Sequence, residues 1–438
     1  MTNDILLINS PLYRESTTLT EEYLPPLGLI YIATYLKEHN IQVELLDSVS
    51  DKLGIKDIID YVNLRSPKYI GINIFTINYD YVKEICENID KSIKIIIGGN
   101  LTKFTYEKIS FWECSNITIV IGEGEKIVYD ILMDSIKEEP FYSFRNTSVY
   151  EVNKNSEYFV EDINRLNLDR TFITKRYINH YKEYEESIIT SRGCIYNCAY
   201  CGSAKSINQH ISVRNRSIEN IKAEISQIIV INTEVKYIRV LDDLFLKNRA
   251  SIINAIQLFN NFNYLYWRAM AHIGSFINSL DLLRDLATSG CKELFIGLES
   301  GSPRIRSFIH KYGNIDDIIK VLTNILDSGI SIKCYFIVGF PTETIEDMTL
   351  SYKLAKELKD YSIKSPGDFR VSVFKFRPYH GTELYNYIMQ NRTDEIVTEH
   401  DNMLDDKRSQ FNFTSGNYSE ESDEIVNKYV KIIQDLNV

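Results

Sequence analysis

Short apolar runs recur along the first third of the chain: ILLINS (5–10), VELLD (43–47), YIGINIF (69–75), IKIIIGG (93–99) and ITIVIG (117–122). Between them lie stretches with helical spacing, such as GLIYIATYLKEHN (28–40) and YDYVKEICENID (79–90). Near-continuous apolar strands alternating with helices predict a parallel, doubly wound, Rossmann-like sheet. The runs end in polar or small residues, at Asn9–Ser10, Gly98–Gly99 and Gly122–Glu123. In such a fold these positions lie at strand C-termini, where ligands bind.

Residues 140–185 are aromatic and charged with weak periodicity, and read as a linker and lead-in. A second series of runs follows: SIITS (187–191), YIRVLDD (237–243), YWRAMAHI (266–273), ELFIGLES (293–300), IKCYFIVGF (332–340) and FRVSVFKFRP (369–378). A helix stands out within it, with Ser217 as N-cap and Ile218, Ile221, Ile225 and Ile228 at helical spacing. Six strand–helix units predict a partial β/α barrel of the TIM type, with its chemistry at the strand C-termini. After about residue 390 the chain turns polar, and a last helix opens at Ser419 or Ser422 and carries Ile425, Tyr429, Ile432 and Ile433. The expected α/β organisation is therefore a first domain over 1–137, a linker over 138–185, a partial barrel over 186–390 and a helical tail over 391–438.

The chain of 438 residues is 44% hydrophobic and 25% charged, ordinary for a globular enzyme with a sizeable core. A net charge of −11 argues against a protein that grips a nucleic-acid backbone with a basic face. The start, MTNDILLINSP, lacks the basic and apolar regions of a signal peptide, and no apolar run approaches the length of a membrane span. Seven cysteines, an odd number without a regular framework, fit a reducing cytoplasm.

Three of those cysteines cluster in SRGCIYNCAYCGSAK (191–205), where Cys194, Cys198 and Cys201 have the spacing C-x3-C-x2-C. Buried free cysteines are usually scattered, and a structural zinc prefers four protein ligands. The remaining reading is an iron–sulfur cluster, whose irons take thiolates. Three thiolates on a four-iron, four-sulfur cluster leave one iron open to a substrate or cofactor. Cys86, Cys114, Cys291 and Cys334 lack any such spacing and read as small core residues, with Cys291, just before a barrel strand, the one candidate exception. The seven histidines form no pair at metal spacing; His272 and His380, near strand ends, are the two with candidate roles.

With Tyr200 before the last cysteine and Gly202 after it, the motif resembles the signature of the radical S-adenosylmethionine superfamily. VLDDLF (240–245), GLESGS (297–302), GFPTET (339–344) and FRPYHGTELY (376–385) resemble, in order, that family's later strand motifs. The resemblance covers about 190–390 and implies that the open iron chelates S-adenosylmethionine, whose reductive cleavage gives a 5′-deoxyadenosyl radical. It places Tyr200, Gly202, Asp242, Asp243, Arg268 and Glu299 around that cofactor. Asp242 and Asp243 also read as loop or N-cap carboxylates, with at least one expected to point into the mouth, and Arg268 reads equally as half of a structural ion pair. An external electron donor such as flavodoxin or ferredoxin is implied, with no nucleic acid and no membrane.

The segment PPLGLIYIATYLKEHNIQVELLD (25–47) resembles the start of the cobalamin-binding domain that precedes the barrel in one large radical subfamily. IIIGGN (95–100) and VIGEGE (120–125) then fall at that domain's fourth and fifth strand ends, so that Asn9, Ser10, Gly98, Gly99, Asn100, Gly122 and Glu123 become candidate cobalamin contacts. The D-x-H-x-x-G of cobalt-ligating domains is absent; NSPLYREST (9–17) stands there instead. Many radical methylases of the subfamily resemble this chain in that respect. The resemblance implies a cobalamin-dependent C-methyltransferase acting on an unactivated carbon of a natural product or peptide. It leaves open a radical enzyme that does not methylate, and a cobalamin sensor, against which the complete cysteine motif argues. No catalytic side chain is assigned, because proximity rather than acid–base chemistry carries such a reaction.

Overall fold

The computed structural model describes residues 4–17, 23–209, 211–391 and 417–437. The chain divides into two compact units, one reaching Lys175 and one beginning at Arg176 and taking in the last described segment.

The first unit runs β1 (Ile5–Asn9), α1 (Leu27–Glu38), β2 (Val43–Asp47), α2 (Ser48–Asp51), α3 (Ile55–Arg65), β3 (Tyr69–Asn73), α4 (Tyr79–Asn88), β4 (Lys94–Gly98), α5 (Thr102–Ile109), β5 (Ile117–Gly122), α6 (Glu125–Leu132), β6 (Tyr142–Phe144) and β7 (Thr147–Val152). The sheet order is β2-β1-β3-β4-β5-β7-β6, parallel except for β6. Alternate residues of β1 feed opposite cores. Leu6 and Ile8 pack with Ile58, Val82 and Ile109 on one face, while Ile5 and Leu7 pack with Ala33, Leu36 and Ile127 on the other. Burial on both faces explains the apolar runs. The chain leaves β1 toward β2 and returns on its other side as β3, so the C-terminal ends of β1 and β3 form the switch point.

Part of the 138–185 stretch, expected as a linker, belongs to the sheets. Val149 and Val152 of β7 are buried against β5, and β6 closes the edge as a hairpin. The strand TSVYEV mixes polar and apolar side chains because it lies near the sheet margin, which hides it from a search for apolar runs.

The second unit contains β8 (Tyr177–Ile178), β9 (Tyr184–Ile188), β10 (Ser191–Arg192), β11 (Arg214–Asn215), α7 (Ile218–Ile231), β12 (Tyr237–Val240), α8 (Arg249–Phe259), β13 (Tyr266–Ala271), α9 (Leu283–Thr288), β14 (Cys291–Glu299), α10 (Pro303–Phe308), α11 (Ile315–Asp327), β15 (Ser331–Val338), α12 (Ile345–Ser362), β16 (Phe369–Lys375), α13 (Glu383–Asn391) and α14 (Asp423–Gln434). Its curled sheet has the order β16-β15-β14-β13-β12-β9-β8; all pairs are parallel except β8 with β9. This is the expected six-unit partial barrel with one antiparallel strand added at its edge. β9 ends three residues earlier than SIITS suggests, because the Thr190 amide turns away to the Asp242 carboxylate (2.6 Å). Ser217 caps α7 as expected, and Ser422 rather than Ser419 caps α14. The polar stretch after residue 390 lies outside the described residues from 392 to 416. Among the described residues no helix is long and apolar enough to cross a membrane.

Candidate functional site

The three cysteines ride on a loop closed at its base by the short β10–β11 ladder and by Arg216 N–H donating to Thr190 O (2.8 Å). Gly193 opens the loop at φ +87°, a backbone conformation that favours glycine. The loop is tied to the ends of later barrel units. Ala199 N–H donates to Ile309 O (3.2 Å), and Ala199 O accepts from Leu384 N–H (2.9 Å). The Tyr196 ring stacks on His272 at 3.9 Å, and Tyr200 meets Phe340 edge-on at 5.9 Å.

Cys194, Cys198 and Cys201 are half-buried, unbridged, and close enough that each of Cys194 and Cys198 acts electrostatically on Cys201. Burial raises all three thiols, Cys201 to about 12. Sulfurs held this way carry their thiolate charge once a cationic centre binds them. Among the described residues no three His, Cys, Asp or Glu side chains converge on a single-ion site. Three thiols on one loop suit an iron–sulfur cluster, whose irons take thiolates, whereas a structural zinc prefers four protein ligands.

Glu299 ends β14 in the left-handed region at φ +64°, just past a bulge in the β14–β15 pairing. The Tyr200 hydroxyl lies close enough to the Glu299 carboxylate and to the Cys198 thiol to act electrostatically on both, so strand end and cysteine loop meet there. Gly202 has no atom within 4 Å of where a β-carbon would stand; nothing in the packing demands glycine, and the position is free for a ligand. Asp243 accepts from Ser203 Oγ (2.8 Å) on the same loop and is exposed.

Two of the sequence-derived candidates have other partners. Asp242 is buried and accepts from Thr190 N–H, Thr190 Oγ1 and Ser191 Oγ at 2.6–2.7 Å, so it builds the loop's base. Arg268 is fully buried between Glu185 and Glu293, with contacts at 2.5 and 2.9 Å. This is the structural ion pair of its two readings, and it fills the barrel interior opposite the N-terminal part of β14. A cavity of about 300 Å³ behind Asp242, lined by α7 and α8 residues such as Ile221 and Leu258, holds none of the cysteines.

Sequence reasoning missed several groups at this mouth. Lys311 and Arg306, both buried, flank Glu299 from α10 and its C-terminus. Burial and these two cations push His272 down to about 3, so its ring is neutral. Burial, with the nearby Cys201 adding to it, pushes Tyr379 up to about 12. Tyr196 was the legible one, an aromatic inside the cysteine motif; the arginine sits in α10 and the lysine in the turn after it, with no motif of their own.

At the switch point of the first unit, Asn9 and Ser10 belong to a polar knot. Asn9 Nδ2 donates to Asp47 (2.7 Å), Asn73 Nδ2 to Asn9 (3.0 Å), Ser10 N–H to Asn73 (2.7 Å) and Asn78 Nδ2 to Ser10 Oγ (2.6 Å). Gly99 and Gly122 have φ of +114° and +97°, and a β-carbon would stand 2.5 Å from Ile74 O and 2.3 Å from Val152 O. Their freedom serves neighbouring backbone rather than a ligand. Gly98 differs: the nearest atom to its β-carbon position is Val120 O at 3.9 Å, leaving the open edge that a flat ligand needs. Asn100 is exposed and Glu123 half-buried beyond the same strand ends. The one histidine before Lys175 is His39, which packs on Tyr35 at the C-terminal end of α1, away from those strand ends. The described residues at these strand ends fit a cobalamin held without a histidine from among them.

Residues 188–355 match the profile of the Radical SAM superfamily, and residues 18–132 that of the B12 binding domain. An uncharacterized methyltransferase of Pyrococcus horikoshii is 28% identical over 84% of this chain and 79% of its own. The anaerobic magnesium-protoporphyrin IX monomethyl ester cyclase of Rubrivivax gelatinosus is 22% identical over 81% of this chain and 68% of its own. Among solved structures, the radical S-adenosylmethionine methyltransferase TsrM from Kitasatospora setae, with cobalamin and a [4Fe-4S] cluster bound, superposes with a TM-score of 0.62 at 16% identity. That match covers 89% of this chain and 75% of TsrM and shows a shared fold.

Proposed function

We propose that this chain, a radical S-adenosylmethionine enzyme with a B12-binding domain, methylates an unactivated carbon of a natural product or peptide. The observation that carries the reading is the pairing of the two domains along one chain, with a methyltransferase-named relative aligned over 84% of it. In this reading Cys194, Cys198 and Cys201 hold the cluster, and Tyr200, Gly202, Asp243 and Glu299 line the S-adenosylmethionine side of the mouth. Gly98, Asn100 and Glu123 take the cobalamin edge, with Asn9 and Ser10 stiffening the loop beneath. When bound, the cluster supplies the electron that cleaves S-adenosylmethionine, and cobalamin supplies the methyl group. Glu299 offers a carboxylate to the cofactor's ammonium, with Lys311 Nζ 3.4 Å from its Oε1. Neutral His272 and Tyr196 present a stacked aromatic wall that neither donates nor withdraws a proton near pH 7. The protein's part is to bind and orient.

A second reading drops the methyl transfer and keeps the radical, and the cyclase among the relatives favours it. Anaerobic reconstitution with cobalamin, reductant and S-adenosylmethionine separates the two. S-adenosylhomocysteine and 5′-deoxyadenosine in comparable amounts, with a candidate substrate present, are expected. Deoxyadenosine alone would sink methylation and leave the second reading.

A further inference from the structure

We infer that Lys311, backed by Arg306, is the cationic support that makes a cluster on Cys194, Cys198 and Cys201 easier to reduce. The inference rests on the radical reading above and extends it to residues outside the cysteine motif. His310 ends α10 in the left-handed conformation (φ +62°), and Lys311 N–H folds back to Arg306 O at 2.7 Å. That turn drives the lysine side chain inward. Its Nζ donates to Gly297 O at 2.9 Å and lies 3.4 Å from Glu299 Oε1. The same turn is clamped to the cysteine loop, through Ala199 N–H on Ile309 O and His310 Nδ1 against Asn197 O at 3.0 Å.

Gly297 is shaped for this pair. A β-carbon there would stand 2.2 Å from Glu299 Oε1 and 3.2 Å from Lys311 Nζ. Arg306 adds a second buried cation, its Nη1 donating to Leu298 O at 2.7 Å. Two cations thus flank the Glu299 carboxylate, while Asp243 is a second carboxylate acting on the loop, at Cys194 and Cys201. The field of Lys311 reaches both Cys194 and Cys198. A cluster bound by three thiolates is anionic, and one electron from a low-potential donor adds a further negative charge without a proton. A buried cation stabilises that reduced form more than the oxidised one.

The test is a redox titration of the full chain, reconstituted anaerobically with iron and sulfide, without S-adenosylmethionine, and followed by electron paramagnetic resonance. K311M is expected to lower the reduced-to-oxidised ratio at a fixed potential about tenfold, which is ~59 mV for a one-electron couple. K311R should stay near wild type, and E299Q, which removes the opposing charge, should move the midpoint the other way. A lysine that only braces the fold would cost iron content or stability and leave the midpoint alone. An unshifted K311M with full iron content overturns the inference; if K311M holds no cluster, an unshifted E299Q does so. A wild-type chain that takes up no cluster overturns the radical reading as well, whereas one that loads and cleaves S-adenosylmethionine keeps that reading whatever K311M shows.

Discussion

Asp242, Arg268 and Glu343 show how a charged residue at a strand end divides between architecture and chemistry. Asp242 is held by Thr190 and Ser191 at the base of the cysteine loop and Arg268 by Glu185 and Glu293, while Glu343, in the GFPTET turn, is fully buried with little to offset its charge. One of its oxygens accepts from Gly339 N–H (2.5 Å) and Phe340 N–H (3.1 Å), and the other has no hydrogen-bond partner. Burial pushes its carboxyl from an ordinary 4.5 up to about 8. The fold therefore keeps a proton that the unfolded chain releases above pH 4.5. The associated stability is complete below that pH and drains away as pH rises toward about 8. E343Q cannot titrate, so the stability of wild type minus that of E343Q should fall by roughly 2–4 kcal/mol across that window. Urea melts of the apo proteins at a series of pH values measure this, and parallel curves would refute it. A motif search gives this glutamate no role, because residue type does not reveal whether an oxygen faces an amide or nothing.

Between neighbouring elements, the glycines at the strand ends of the first unit divide in the same way. Gly122 lets β5 pass Val152 O, so G122A should cost about 1–3 kcal/mol through its β-carbon and its positive φ. G98A meets nothing closer than 3.9 Å and should change apo stability by less than ~0.5 kcal/mol. Placed against the proposed corrin edge, it should nonetheless weaken cobalamin binding about tenfold, ~1.4 kcal/mol. Absorbance titration with cobalamin checks the pair, and wild-type affinity in G98A would remove that strand end from the cofactor site. The sequence pattern made the strands legible because burial on both faces leaves unbroken apolar runs. It did not separate Gly98 from Gly99 and Gly122, since only the neighbouring backbone distinguishes them. The cysteine loop was legible for a different reason: three thiols at fixed spacing are local, whereas Lys311 reaches Glu299 only through the fold.

At the scale of the molecule, a partial barrel leaves open sheet edges, which invite pairing with other chains. The β16 edge is covered by the last segment of the chain. Asn437 Oδ1 accepts from Val371 N–H (2.9 Å) and its Nδ2 donates to Val371 O (2.8 Å), standing in for the next strand. Val426, Tyr429 and Ile433 of α14 enter the main core of the second unit, and Tyr418 packs edge-on against Phe376. The sequence reading of a tail with one helix understates this segment, because its apolar residues are few and only the uncovered edge of β16 explains them. Each buried side chain of this size contributes ~1.5–3 kcal/mol, so the four together are comparable to the ~5–15 kcal/mol that holds a typical domain. A chain ending at residue 416 should therefore lose the second unit's cooperative urea transition and fail to retain iron after reconstitution. The two cores of the first unit contain only residues before Lys175, so the same truncated chain should still bind cobalamin. Iron content, urea melts and the corrin absorbance of one preparation decide it. An unchanged melt with full iron content would mean that β16 is closed by something other than α14 and Asn437.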